Sequence, residues 1–276
     1  LLYSAVHEVD ERMGVHGEVI RTPDETALKR DFATAKAAGY NAIAIAFLHG
    51  YRHPAHEQLA ARLARDCGFS QVSVSHEVSP LMKLVARGDT TVVDAYLTPV
   101  LRRYVDRLRS ELPDTRLLFM QSSGGLTDAG RFQGKDSILS GPAGGIVGAV
   151  RTAAAVGFDR IIGFDMGGTS TDVAHFAGTD IGALERTFDA MVAGVRVRAP
   201  MLAIHTVAAG GGSILQFDGS RLRAGPESAG AHPGPACYGK DGPLTITDCN
   251  VLLGRIQPSL FPSVFGADGR QGLPAG

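Results

Sequence analysis

The sequence has 276 residues, 44% of them hydrophobic, which is enough for one large or two modest domains with a real core. Its 27 basic and 28 acidic residues are spread without long runs and give a net charge of −1, which argues against nucleic acid or an anionic membrane as the partner. The longest apolar segments, around 41–48 and 144–156, are too short to span a bilayer, no basic leader with a cleavage site opens the chain, and Cys67, Cys237 and Cys249 are not spaced for disulfides or zinc, so a cytoplasmic protein is expected.

Thr22-Pro23-Asp24-Glu25 reads as a capping box with Thr22 as N-cap, and Leu28, Phe32, Ala35 and Ala38 put a helix after it that Gly39 ends. The apolar run 41–48 predicts a strand, and helix followed by strand indicates an α/β layer. His49, His53 and His56 invite a metal reading. Pro54 opens a helix among them and no carboxylate partner is evident, so structural or exposed histidines are expected instead. That helix runs to about Asp66, with Gly68 closing it, and 71–75 is a short strand. From Ser79-Pro80 to Leu112 the periodicity is helical, with interruptions expected at Gly88 and Thr98-Pro99. Its arginines, mixed with Asp106 and Glu111, read as a solvated face.

Residues 116–121 form a predicted strand ending in Ser122-Ser123-Gly124-Gly125, either a plain loop or a ligand-binding sheet edge. Ser140-Gly141-Pro142-Ala143-Gly144-Gly145 then opens a helix of small residues through Val156, whose positive N-terminal end suits an anion.

The richest stretch is 163–174, GFDMGGTSTDVA. A buried strand over 160–164 delivers Asp165 to Gly167-Gly168, and beyond it Thr169, Thr171 and Val173 alternate like a strand instead of opening a helix. No P-loop lysine is present. The reading is a β-hairpin whose Gly-Gly tip lets backbone N–H groups approach phosphate, with Asp165 and Asp172 facing a metal or water. An ordinary Gly-Gly hairpin is the alternative, and the added Asp165, Thr169 and Asp172 weigh against it. Residues 201–207 predict one further strand running into Gly210-Gly211-Gly212, which is either a loop or a second source of backbone donors. The density of glycine and proline from Gly225 to Gly239 predicts a long shaped loop with no regular element, with Glu227 and His232 as its polar groups.

Taken in order, HEVDERMG, FLHGYRHPAHE, EVSP, DAYLTPVLRRY, MQSSGGL, SILSGPAGGIVGA, GFDMGGTSTDVA, PMLAIHTVAAGGGSI and GPESAGAHPGPACYG resemble the hydantoinase A and 5-oxoprolinase family, whose relatives include acetone carboxylase subunits. The resemblance covers nearly the whole chain. It implies an α/β fold of the actin, sugar-kinase and heat-shock-chaperone ATPase type, with ribonuclease H-like lobes. Residues 1–157 would be the remainder of a first lobe with the connecting helix, and 158–276 the start of a second. Only one DxGGT sequence is present where such ATPases have two phosphate hairpins, and the chain lacks an initiator Met, so an internal fragment that binds ATP weakly by itself is expected.

By the same resemblance, Asp165 would place a metal ion, Mg2+ or Mn2+, and Gly167, Gly168 and Thr169 would hold the phosphates of ATP. Asp172 would orient water or the turn, with weaker assignments to Ser140, Gly141, Gly144, Gly210, Gly211 and Gly212. The implied reaction is ATP-dependent opening of a cyclic amide of hydantoin or 5-oxoproline type, with hydrolysis completed by a second hydantoinase-type subunit or domain, because no nucleophile, base and orienter set stands out in this chain. The alternatives are an acetone carboxylase-type subunit and a chaperone-like nucleotide-binding module.

Overall fold

The computed structural model describes residues 2–273. β1 (Arg12–Met13) and β2 (Val19–Arg21) form an antiparallel ribbon. α1 (Glu25–Ala37) follows, capped by Asp24 and not by Thr22: the Asp24 carboxylate accepts the N–H groups of Thr26 and Ala27, where an acidic group also meets the positive helix end. β3 (Ala42–Ile45), α2 (Ala55–Asp66) and β4 (Gln71–Val74) make a βαβ unit with parallel register from Ala42↔Gln71 to Ile45↔Val74. β3 is shorter than its apolar run because the N–H of Phe47 goes to the Glu57 carboxylate instead of a neighbouring strand. Leu28 and Phe32 of α1 pack with Ala60, Leu63 and Ala64 of α2 and with Ile45 and Val74, and Phe32 meets Phe69 edge-on at 6.0 Å.

α3 (Ser75–Val78) leads to α4 (Leu84–Glu111), 28 residues that continue through both Gly88 and Pro99. Pro99 removes one helical hydrogen bond, and side-chain anchoring on either side offsets that loss. Thr90, Thr91, Asp94 and Thr98 are all buried, with Asp94 accepting from Ser73 and Thr98, and Thr98 accepting the N–H of Gly134. β5 (Leu118–Met120) and β6 (Leu126–Asp128) pair antiparallel, and Phe119 stacks on Phe132 at 5.1 Å. Ser122, after β5, is fully buried. Its N–H and hydroxyl both donate to the carbonyl of Asp136, and its own carbonyl accepts from Leu202, so it acts as a structural joint.

α5 (Gly134–Ser137) and α6 (Ser140–Ala155) follow, and Gly157 takes a left-handed φ of 88° just past α6, which glycine alone adopts without strain. Next come β7 (Arg160–Met166) and β8 (Thr171–Ala177), paired antiparallel from Arg160↔Ala177 to Met166↔Thr171. The chain continues through β9 (Arg186–Thr187), the β10 (Ala190–Val192) and β11 (Val195–Val197) ribbon, and β12 (Met201–Leu202), which pairs with β9. β13 (His205–Val207) pairs instead with β8, so the run 201–207 is two strands with different partners, not one. β14 (Ser213–Phe217) and β15 (Leu222–Ser228) form an antiparallel pair, and α7 (Ile246–Leu252) begins at a capping box of Thr245 and Asp248. β15 runs on through 225–228, where no regular element was expected, while 229–239 is loop apart from a 3-10 turn at Ala236–Tyr238.

The result is a mixed α/β protein of two compact units, neither continuous in sequence. One runs to Gly144 and includes Glu185–Leu202; the other holds Gly145–Leu184 and resumes at Ala203. In the first, Val197, Ala199 and Met201 bury against Val93 of α4. In the second, Val251, Phe265 and Leu273 form a small core with Tyr238. No helix among the described residues is long and apolar enough to cross a membrane.

Candidate functional site

In the second unit the sheet order is β13-β8-β7, and residues 167–170 join β7 to β8. The N–H of Gly167 donates to the carbonyl of Ser170, which closes the turn. Among the described residues, the N–H groups of Gly168 and Thr169 donate to nothing, and both residues are exposed. A Cβ on Gly168 would meet open space, and its φ is not in the left-handed region, so neither backbone strain nor a neighbouring atom demands glycine there. What its missing side chain provides is an unobstructed approach to two free donors.

Asp165 and Asp172 lie directly opposite each other in the β7–β8 register, Asp165 exposed and Asp172 half-buried. Like charges facing across a strand pair repel by a few tenths of a kcal/mol to about 1 kcal/mol, and a cation between them would remove that cost. Thr206 of β13 donates its hydroxyl to Asp172 at 2.7 Å, which fixes that carboxylate, while an oxygen of Asp165 lies 3.5 Å from where a Cβ on Gly145 would stand. Thr206 was not singled out from the sequence, and Gly145 only as one of the small residues that open α6. Both are set by strand register and helix packing, which local spacing does not encode. The two carboxylates are the cation-compatible donors present, and among the described residues no group of three or more His, Cys, Asp or Glu side chains converges on one point.

Gly210, Gly211 and Gly212 pack onto this turn from behind. The N–H groups of Gly211 and Gly212 donate to the carbonyls of Gly167 and Gly168 at 3.0 and 2.6 Å, and that of Gly210 goes to the Ser213 hydroxyl. Their donors are therefore engaged inside the protein. Thr171 adds a hydroxyl bond to the carbonyl of Ala209 at 2.5 Å. A Cβ on Gly210 would sit 2.7 Å from the Gly168 carbonyl carbon and 2.8 Å from the Gly167 oxygen, backbone atoms that cannot yield. Gly210→Ala is expected to destabilise the fold by about 1–3 kcal/mol, and Gly168→Ala to stay within about 1 kcal/mol of the parent, by urea unfolding.

Ser140, Gly141 and Gly144 belong to the first unit, at the start of α6. The Ser140 hydroxyl donates to the carbonyl of Ser137, a Cβ on Gly141 would meet nothing within 4 Å, and one on Gly144 would make ordinary contact with Met120 at 3.7 Å.

The first unit carries a buried polar cluster that the sequence did not reveal. The Glu57 carboxylate, fully buried, accepts the N–H groups of Phe47 (2.8 Å) and His76 (3.0 Å), the Ser75 hydroxyl (2.5 Å) and the His76 ring at 2.7 Å. Arg87, also fully buried, donates to Ser75 and to the carbonyls of Phe47, Leu48 and Leu81, with its guanidinium 5.5 Å from the Tyr51 ring centroid. Burial lowers the Arg87 pKa, and Glu57 and Tyr51 oppose that shift. His56 has the carboxylate partner that was not evident from sequence: its Nδ1 lies 2.6 Å from Glu11, across 45 positions of chain. His56 and Glu57 stand on α2 within FLHGYRHPAHE and Glu11 in the chain just before β1 within HEVDERMG, and only the fold joins the two stretches.

In the second unit, burial pushes the Cys237 thiol up to about 12, reinforced by its hydrogen bond to Asp248. Burial alone would raise Asp248, but bonds from Cys237 and Thr245 hold it below the ordinary carboxylate value. The neutral thiol thus contributes stability below the unfolded cysteine pKa of about 8.5, and that contribution is lost as pH rises toward the folded value. Iodoacetamide labelling at pH 8, read by mass spectrometry, is expected to modify Cys237 far more slowly in the folded chain than in urea.

The model of the hydantoinase/oxoprolinase family matches residues 87–275, and that of the hydantoinase/oxoprolinase N-terminal region matches residues 1–68. A 5-oxoprolinase from Saccharomyces cerevisiae is 44% identical across 99% of this chain. The crystal structure of ATP-dependent caprolactamase from Pseudomonas jessenii superposes with a TM-score of 0.74 and 34% identity, covering 95% of this chain and 38% of that one. A nucleotide-free acetone carboxylase structure gives 0.73 and 26%, over 92% of this chain and 37% of that one. The chain spans only 23% of the length of the yeast relative. With two family models matching in sequence order along most of its length, this chain belongs to the hydantoinase/oxoprolinase family.

Proposed function

We propose that these residues form part of a longer enzyme that uses ATP to phosphorylate and open a cyclic amide, and that the turn at 167–170 is its phosphate-binding hairpin in an actin-like ATPase lobe. The observation that carries this reading is the pair of free, exposed N–H groups on Gly168 and Thr169 beside the opposed carboxylates of Asp165 and Asp172. Family relatives named 5-oxoprolinase and ATP-dependent caprolactamase support a lactam as substrate class.

The chemistry follows from the stability of an unstrained lactam. Its amide oxygen takes the terminal phosphoryl group of ATP, ADP departs, and the ring carbon becomes a far better electrophile for water. In this scheme Gly168 and Thr169 donate to phosphate oxygens, and Gly167 and Gly168 are held from behind by Gly211 and Gly212 so that those donors stay aimed. Asp165, with Asp172 opposite, would hold a divalent cation such as Mg2+, which supplies charge neutralisation at the phosphates. Thr206 keeps Asp172 in place. Water attack on the activated ring is assigned to another subunit or domain.

The test is ADP release by the full-length enzyme with ATP and lactams of different ring size, 5-oxoproline included. Lactam-dependent release that falls in Gly168→Ala, with unfolding unchanged, supports the reading. Turnover stimulated by acetone would favour the carboxylase-type reaction, which the acetone carboxylase structural likeness keeps in view. Turnover stimulated by peptide and indifferent to both would overturn the proposal in favour of a chaperone-like module.

A further inference from the structure

The glycine turn that supports residues 167–170 is itself braced. Gly211 donates its N–H to the carbonyl of Gly167 at 3.0 Å. Its own carbonyl accepts two bonds from one residue, Thr247 in the first turn of α7: the backbone N–H at 2.8 Å and the Oγ1 hydroxyl at 2.9 Å. The neighbouring groups at the start of α7 are allotted elsewhere. Thr245 and Asp248 satisfy each other as the capping box, and the Asp248 carboxylate also accepts the N–H groups of Ala236 (3.2 Å) and Cys237 (2.7 Å). Threonine is not among the residues that favour a helix interior, and the Thr247 hydroxyl is used outside its own helix. The fit is close: a Cβ on Gly211 would stand 2.8 Å from Thr247 Oγ1, and one on Gly212 would stand 2.9 Å from the Gly168 oxygen.

Peptide geometry carries this brace to the open side of the turn. The Gly167-Gly168 and Gly168-Thr169 bonds are trans, and in a trans peptide the carbonyl and the following N–H point in opposite directions. The Gly167 carbonyl, drawn toward Gly211, therefore aims the Gly168 N–H away from it. The Gly168 carbonyl, held by Gly212 at 2.6 Å, does the same for the N–H of Thr169. These are the two N–H groups that donate to nothing among the described residues. Moving Gly211 moves the Gly167 carbonyl and, with it, the aim of the Gly168 donor. We infer, on the reading of 167–170 as the phosphate hairpin, that Thr247 is a positioning residue for phosphoryl transfer, acting through Gly211 and Gly167 to hold the Gly168 N–H on the phosphates. A misplacement of about 1 Å at a reacting group costs on the order of 100-fold, so losing one of the two bonds from Thr247 is expected to cost about ten-fold.

Thr247→Val in the full-length protein tests this, because it keeps the branched shape and the backbone N–H and removes only the hydroxyl. Without nucleotide, hydrogen exchange read by mass spectrometry is expected to quicken about ten-fold in peptides covering 208–213. Calorimetry with Mg-ATP is expected to show about ten-fold weaker binding at unchanged stoichiometry. Partial unfolding would instead lower the number of sites and spare their affinity. Lactam-dependent ADP release is expected to fall by the same order. Thr247→Ser keeps the hydroxyl and is expected to match the parent in all three measurements. If Thr247→Val does not fold, Thr247→Ala carries the test with the same expectations. Parental affinity or parental exchange in the hydroxyl-less variant, or a Thr247→Ser variant as weak as it, would overturn the brace. Gly168→Ala is the control for the hairpin itself. If it slows ADP release while loss of the Thr247 hydroxyl does not, the brace fails and the hairpin stands; if neither slows it, both fall.

Discussion

In the full-length enzyme, Asp165→Asn is expected to lower lactam-dependent ADP release by about 100-fold or more while leaving urea unfolding within about 0.5 kcal/mol of the parent. The substitution keeps the side chain's shape and removes only its charge. Asp165 is exposed, so no core contact is lost, and it faces Asp172, so neutralising it relieves repulsion instead of breaking an attraction. A structural carboxylate would behave in the opposite way, costing stability and sparing turnover. Single-turnover measurement of phosphoryl transfer alongside nucleotide affinity divides the loss between binding and chemistry. Unchanged turnover would remove Asp165 from the site.

Arg87→Met is expected to have the largest effect on folding, a loss of about 3–5 kcal/mol by urea denaturation. The guanidinium is fully buried and supplies donors to Ser75 and to three backbone carbonyls, so methionine leaves those acceptors unpaired and Glu57 without its neighbouring positive charge. A loss of that size is a large share of the stability of an ordinary domain. Arg87→Lys keeps the charge but cannot reproduce the planar fork, and is expected to fall between the parent and Arg87→Met. The cluster fixes the loop that follows β3, because Glu57 holds the N–H of Phe47 while Arg87 holds the carbonyls of Phe47 and Leu48. Gly50 completes it: a Cβ there would lie 2.2 Å from the Glu57 carboxylate.

The elements legible in the sequence are those whose signals are local. α2 ends at Asp66 with Gly68 beyond it, α6 begins at Ser140 and stops before Gly157, and paired strands flank Gly167-Gly168, although β7, expected to be buried, leaves Ile162 and Phe164 exposed. The places where local reading failed are those where distant residues decide. α4 continues through Pro99 because buried partners hold it. The run 201–207 splits because Met201 pairs with Thr187 while Val207 pairs with Thr171.

By itself the sequence determined the family, through an ordered set of short motifs, and it located the turn at 167–170 between two paired strands, because Gly-Gly after a β-branched run is a local signal. Only the tertiary structure decided how the glycines divide their work. Gly168 leaves donors open, whereas Gly210, Gly211 and Gly212 spend theirs on the backbone of the first turn. The physical reason is that a glycine's role depends on which atoms approach it in space. The two turns, at 167–170 and 210–212, are far apart along the chain, and only the pairing of β13 with β8 sets one behind the other.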